Sequence, residues 1–461
     1  MHKYVLTEIF RYTTYIQMKN MTAVLQRSLS TASPLAAAGT GVFLRLEDGR
    51  EILDACGGAA VACIGHGNRR VAEAVSRQMR LLSYAHTGFF TSAPAESLAE
   101  ILVGHRPGGM SRALFLSSGS EAVDAAVKLA RQYFVESGRG ERSHIIARRQ
   151  SYHGATLGSL SIGGHCARRA PYLPLLSPWV SHVAPCFAFH HRLRNEDDAA
   201  YVARLAHELE AEFQRIGPGK VLAFCAETVV GATTGCVSAV PGYFRAMRRV
   251  CDRHGALLIL DEIMCGMGRT GRLHAWELEG VVPDIQIIGK GLGGGYQPIG
   301  AVLVSDRIVQ ALSSGSKGFM HGQTYQGHPV ACAAAYEVQR IIAEEGLVAA
   351  ANRNGVVFLR HLMHELGAHP HVGDIRGRGL FVGIEFLQDR ATKRAFPAAS
   401  AMADRVRQAA FDHGLLVYPG TGTVDGEVGD HILFAPPLNS TPDQLELIVE
   451  RFLRALAAVF G

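Results

Sequence analysis

The 461-residue chain has no Cys-x-x-Cys pair, and its nine cysteines stand singly, at 56, 63, 166, 186, 225, 236, 251, 265 and 332. Scattered thiols in odd number argue against a disulfide framework or a zinc site and for a reducing compartment. No apolar stretch reaches the ~20 residues of a membrane span. The N-terminus, MHKYVLTEIFRYTTYIQMKN, alternates polar and apolar residues and lacks a signal-peptide core. A cytoplasmic location is the expectation, with Met18 or Met21 as alternative starts. There is no long basic block, and the net charge of +5 is small for the length. Neither nucleic acid nor membrane is therefore an expected partner. Internal repeats and low-complexity linkers are missing as well.

What is present is 48% hydrophobic and 19% charged, an ordinary globular balance with core enough for two or three domains. Residues 41–55 read as a hairpin around Asp48-Gly49. Val71, Val75, Met79 and Leu82 recur at helical spacing and predict a helix over 69–82. From 112 to 305, short apolar runs alternate with helical patterns. The predicted strands are 112–116, 144–148, 221–226, 256–260, 284–288 and 300–305, and the clearest helices are 121–135, 199–215 and 242–254. Apolar strands between helices imply a mostly parallel sheet covered on both faces, an α/β fold. A helix over 329–345 leads into a second α+β region, with strands at 379–386, 414–418 and 431–435 and a last helix over 441–459. The expected organisation is a large domain over 76–330 and a smaller α+β domain built from 1–75 and 331–461.

Two of the apolar runs end in chemistry. Ala256–Leu260 ends in Asp261-Glu262, and Asp284–Gly289 ends in Lys290, followed by the glycine-rich turn Gly291-Leu292-Gly293-Gly294-Gly295-Tyr296. An acid and an amine at neighbouring strand ends suit an aldehyde cofactor with a basic ring nitrogen: the lysine forms the Schiff base and the aspartate holds the ring proton. The implied cofactor is pyridoxal phosphate. Strand 112–116 runs into Ser117-Ser118-Gly119-Ser120-Glu121 and a helix, with Ser118 and Glu121 at capping-box spacing. Free N–H groups and the helix dipole make that turn an anion cup, with Gly119 and Ser120 nearest the phosphate. Tyr152, in Ser151-Tyr152-His153-Gly154, follows strand 144–148 and offers a ring to stack on a flat cofactor. The turn after Lys290 lacks the final glycine of a dinucleotide loop, so a nicotinamide site is rejected.

In this order the pieces resemble the class III pyridoxal-phosphate aminotransferases, of aspartate aminotransferase-like fold (fold type I), over roughly residues 38–440. The most specific stretch is LLILDEIMCGMGRTGRLHAWELEGVVPDIQIIGKGLGGGYQPIGAV, supported by SSGSEAVDAAVKLAR, SYHGATLG, Glu227 and HGQTYQGHPVACAAA. The resemblance implies a large domain with a seven-stranded-type sheet. It implies that Lys290 carries the cofactor, Asp261 binds its pyridine nitrogen, and Tyr152 and Ile263 pack on the two ring faces. Gly119 and Ser120 would bind the phosphate, with His153 and Glu227 close by. Thr324 would reach the phosphate of a partner subunit's cofactor, making the active unit a homodimer. Arg376 and Arg378, in RGRGLFVGIEF, read as structural.

A transaminase with an amine or ω-amino acid donor and pyruvate or 2-oxoglutarate as acceptor is the implied activity. An aminomutase, decarboxylating transaminase, lyase or racemase on the same scaffold is the alternative. Two departures matter. Many class III members hold the substrate carboxylate with a C-terminal arginine, yet residues 411–440 contain no arginine or lysine. The loop CGGAAVACIGHGN (56–68) has small residues where many relatives carry a bulky aromatic, which suggests a roomier pocket. Tyr84, His86, Phe89 and Phe90 read equally as pocket walls or as a dimer-interface cluster.

Overall fold

A computed structural model describes residues 23–461; Met18 and Met21 lie outside them. Three strands open the described chain: β1 (Ala36–Thr40), β2 (Phe43–Leu46) and β3 (Glu51–Asp54). The large sheet takes β4 (Met110–Leu116), β5 (His144–Arg148), β6 (Val180–Val183) and β7 (Val221–Glu227). A two-stranded ribbon, β8 (Val229–Val230) with β9 (Val237–Ser238), follows β7. Then come β10 (Leu257–Asp261), β11 (Ile285–Ile288) and β12 (Gly300–Ser305), which complete the large sheet. The C-terminal region contributes β13 (Val372–Arg378), β14 (Phe381–Phe386), β15 (Leu415–Leu416), β16 (Tyr418–Thr421) and β17 (Asp430–Phe434).

The seven strands lie in the order β4-β12-β11-β10-β7-β5-β6. Only β12 is antiparallel to its neighbours, pairing so with both β4 and β11. The near-continuous apolar runs are explained by burial on two faces. Leu258 and Leu260 of β10 join one hydrophobic cluster, and Leu257 and Ile259 join the other. Helices α1 (Arg69–Leu81), α2 (Gly119–Glu136), α3 (Asp198–Ile216) and α4 (Tyr243–His254) sit within two residues of the predicted spans. Asn68 caps α1 with its side chain, and Gly255, at φ +61°, closes α4 in the left-handed region that glycine adopts freely.

Some elements had no signal strong enough to read. β6 is a four-residue edge strand with a serine and a histidine inside it. β13, VGDIRGR, is half-buried and polar, and it forms a hairpin with β14. The single strand expected at 414–418 is two. Leu415–Leu416 pairs parallel with β3, while Tyr418–Thr421 pairs antiparallel with β17 and places Pro419 on an edge, where its missing N–H costs little. The helix expected at 329–345 is α5 (Pro329–Glu344), and a further helix, α6 (Leu347–Leu366), follows it. The last helix is α7 (Pro442–Phe460), opened by a capping box of Thr441 and Gln444. The β3–β15 pairing ties the N-terminal hairpin to the C-terminal region. No helix among the described residues is long and apolar enough to cross a membrane.

Candidate active site

β4, β5, β7, β10 and β11 all point the same way, and the segment after each delivers part of one cavity. Such a sheet exposes its strand ends as a natural crevice. Asp261 ends β10 and Glu227 ends β7, and the two are register partners across the parallel ladder. Lys290 stands two residues beyond β11, Gly119 and Ser120 follow β4, and Tyr152 and His153 follow β5. The cavity is lined by Gly119, Ser120, Tyr152, His153, Glu227, Asp261, Ile263 and Lys290, with Gly154, Val229, Ala232, Met264 and Cys265. Eight of the nine site residues expected from sequence thus meet in one place. Thr324 does not join them; it is exposed in a turn of its own chain.

Each group is held. His153 Nδ1 donates to Asp261 Oδ2 at 2.8 Å, and the Ile263 N–H donates to Asp261 Oδ1 at 3.0 Å. The Glu227 carboxylate accepts from the Tyr152 and Gly231 N–H groups, each at 3.0 Å, so it fixes the loop that carries the tyrosine. Burial raises the Glu227 pKa above its ordinary value. Glu262 faces away from the cavity and accepts from Thr228, Gln286 and two backbone N–H groups, a structural knot; burial still pushes its carboxyl up to about 7. Burial likewise lowers the Lys290 amine, with Asp261 and Glu227 opposing and Arg168 adding to the drop. A lysine so placed is more readily neutral, so its lone pair is available to attack a carbonyl or accept a proton.

Ser118 caps α2 by accepting from Glu121 N–H at 3.2 Å. The N–H groups of Gly119 and Ser120, the first two of the helix, have no intrahelical acceptor and border the cavity. Ser120 Oγ accepts from Ala155 N–H at 3.0 Å, closing the turn over Gly154. Gly119 has no room for a side chain: a Cβ there would come 2.6 Å from Ile263 Cδ1. A cup of free N–H groups, a buried carboxylate, an aromatic ring, an apolar branch and a perturbed amine fit pyridoxal phosphate, group for group.

The comparisons agree. The family model for class III aminotransferases matches residues 28–456. The chain belongs to the class III aminotransferases. This aminotransferase is 48% identical over 425 residues to an uncharacterised aminotransferase of Schizosaccharomyces pombe, covering 92% of this chain and 93% of the relative. It is 32% identical to the putrescine–pyruvate aminotransferase of Pseudomonas aeruginosa, over 89% of this chain and 87% of that one. An amine transaminase from an uncultivated Pseudomonas species, solved with pyridoxal phosphate bound, superposes with a TM-score of 0.88 at 32% identity, over 95% of this chain and 98% of that one.

Other expectations land elsewhere. The small residues of 56–68 do not line the Lys290 cavity. They pack on the glycine-rich turn, where Cys63 Sγ donates to Gly291 O and Asn68 N–H donates to Tyr296 Oη. Tyr84, His86, Phe89 and Phe90 are also off the cavity, and Phe89 is 80% exposed. Arg376 pairs with Asp374 and Glu385, and Arg378 with Glu279. The residue that sequence reading missed is Arg168, whose guanidinium lies 4.7 Å over the Tyr152 ring. No motif marked it; it sits beyond SYHGATLG, in a helical turn at Cys166–Arg169.

Proposed function

We propose that this aminotransferase moves an amino group from an amine or ω-amino acid to an oxo-acid such as pyruvate or 2-oxoglutarate, with pyridoxal phosphate as cofactor. When bound, pyridoxal phosphate supplies an aldehyde that condenses with amines and a cationic ring that accepts the electron pair left at the substrate carbon. Lys290 Nζ holds that aldehyde between turnovers. With the cofactor bound, the same Nζ would be the group to take the proton from the substrate carbon and to give it back, a role its lowered pKa suits. Asp261 keeps a proton on the ring nitrogen, and His153 orients Asp261 through the 2.8 Å bond. The Gly119 and Ser120 N–H groups bind the phosphate, Tyr152 and Ile263 flank the ring, and Glu227 anchors the Tyr152 loop.

The reading extends to a cytoplasmic homodimer in which Thr324 reaches the partner's phosphate. The exposed apolar side chains Phe89, Phe90, Met320 and Tyr325 support such a contact. It also treats 1–75 with 331–461 as one small domain beside 76–330, supported by the β3–β15 pairing. The observation that carries the reading is the convergence of Lys290 and Asp261 in one cavity. The test follows the absorption spectrum of the holoenzyme while ω-amino acids, diamines, simple amines and α-amino acids are added singly. Conversion of the lysine-bound cofactor band to that of pyridoxamine phosphate, reversed by an oxo-acid, is expected. A cofactor band that no amine bleaches, with products formed in the absence of an oxo-acid, would instead favour an aminomutase, lyase or racemase.

A further inference from the structure

An oxo-acid acceptor brings a carboxylate into a cavity whose own side chains include the two acids Asp261 and Glu227. The one amine lining that cavity, Lys290, is committed to the cofactor. A second cation would balance the incoming carboxylate, and the segment 411–440 has neither arginine nor lysine to supply one. That segment nevertheless borders the site. Gln150 Nε2 donates to Thr423 O at 2.9 Å, and a Cβ on Gly426 would come 2.6 Å from Cys166 Sγ. The Cys166–Arg169 turn therefore leans on the arginine-free loop and projects beside Tyr152.

The nearby arginines differ in availability. Arg148 donates to Glu227 O, Arg269 to Leu380 O and Pro436 O, and Arg169 to Ser161 O and Gly163 O. Arg376 is held in its ion pairs. Arg168 is exposed, has no carboxylate or carbonyl partner among the described residues, and rests on the ring of Tyr152, which itself lines the cavity. Its charge reaches the Lys290 amine, which places it within electrostatic range of the reacting end. A guanidinium is also the side chain best shaped to grip a carboxylate with two parallel bonds.

We propose that Arg168 binds the carboxylate of the oxo-acid acceptor from the Cys166–Arg169 turn, in place of the arginine that 411–440 lacks. The inference rests on the transaminase reading. In the structure the guanidinium rests on Tyr152 at the edge of the cavity, outside the residues that line it. Discrimination between acceptors is then set by a residue outside the motif-bearing strand ends.

The test compares wild type, Arg168→Gln and Arg168→Lys as holoenzymes, with pyruvate and acetaldehyde as acceptors, since these differ by the carboxylate. In Arg168→Gln the KM for pyruvate should rise about 10- to 100-fold, the loss of a charge-assisted contact. The acetaldehyde reaction and the amine half-reaction with a simple monoamine, which feel Arg168 only through Lys290 and Tyr152, should fall far less than the pyruvate reaction, and Arg168→Lys should recover part of the pyruvate loss. Titration calorimetry with propionate, which carries a carboxylate but no reacting carbonyl, should detect binding to wild type and none to Arg168→Gln. An unchanged KM for pyruvate would overturn the proposal. So would equal losses with pyruvate and acetaldehyde, because Arg168 would then only support Tyr152. A wild-type enzyme that no amine converts would instead overturn the transaminase reading and this inference with it.

Discussion

The floor of the cavity and its rim are built differently. Asp261 and Glu227 end adjacent strands of a sheet buried on both faces, and each carboxylate accepts a backbone N–H as well as a second donor. Arg168 sits on a four-residue turn, exposed, held by a ring contact and by the fit of Cys166 against Gly426. Positions on rigid elements can be fixed finely enough for proton transfer, while loop positions can change with little cost to the fold. In the proposed reading the floor carries the proton-transfer chemistry and the rim sets which acceptor is held.

The largest effect should come from the floor. Lys290→Ala should lower kcat for the full reaction by at least roughly 100- to 10,000-fold, the usual scale for a positioned acid–base group; steady-state assay with near-normal turnover would break the floor's assignment. The same variant sharpens it through stability. In the cofactor-free protein, burial holds the amine below its ordinary 10.5, so the unfolded chain binds that proton more tightly. Stability then rises with pH through the window below 10.5 and is lowest beneath the folded-state pKa. Lys290→Ala should remove this rise in a denaturation series run across that window.

Asp261→Asn should follow, with activity down roughly 100-fold, because a neutral amide cannot hold a cationic ring nitrogen. The amide oxygen can still accept from His153 Nδ1, but the amide NH2 then faces the Ile263 N–H that Oδ1 accepts in the wild type, so circular dichroism should confirm that the variant folds. The smallest effect belongs to the rim. Gly426 has φ +98°, and an added Cβ would meet Cys166 Sγ at 2.6 Å. Gly426→Ala should cost about 1 kcal/mol of stability and shift the acceptor KM several-fold, with cofactor affinity unchanged in a fluorescence titration. Loss of cofactor binding there would mean that floor and rim are not separable.

The floor was legible because its signals are local. An apolar run of strand length ending in an acid, another ending in a lysine, and a capping box after a third each follow from the needs of buried strands and helix starts. The order of these pieces then carried the resemblance. Less legible were features set by long-range contact: β6, the β13 strand, and the division of 414–418 between β3 and β17. Val417, buried at that division, reads as one more apolar strand residue. The small residues of 56–68 suggested a roomier pocket; they line a separate cavity with Gly294, Gly295 and Tyr296, not the one around Lys290.

The sequence by itself determined the alternation of strands and helices, the strand-end acid and lysine, the capped small-residue turn, and the absence of arginine and lysine from 411–440. These depend on residue type and on periodicities of two and 3.6, which a linear chain displays. Tertiary structure alone decided that Glu227 stands beside Asp261, that Glu262 turns away into its own knot, and that Arg168 lies over Tyr152. Which side chains meet depends on strand order and on the path of loops between distant segments, and no local pattern in the chain encodes that.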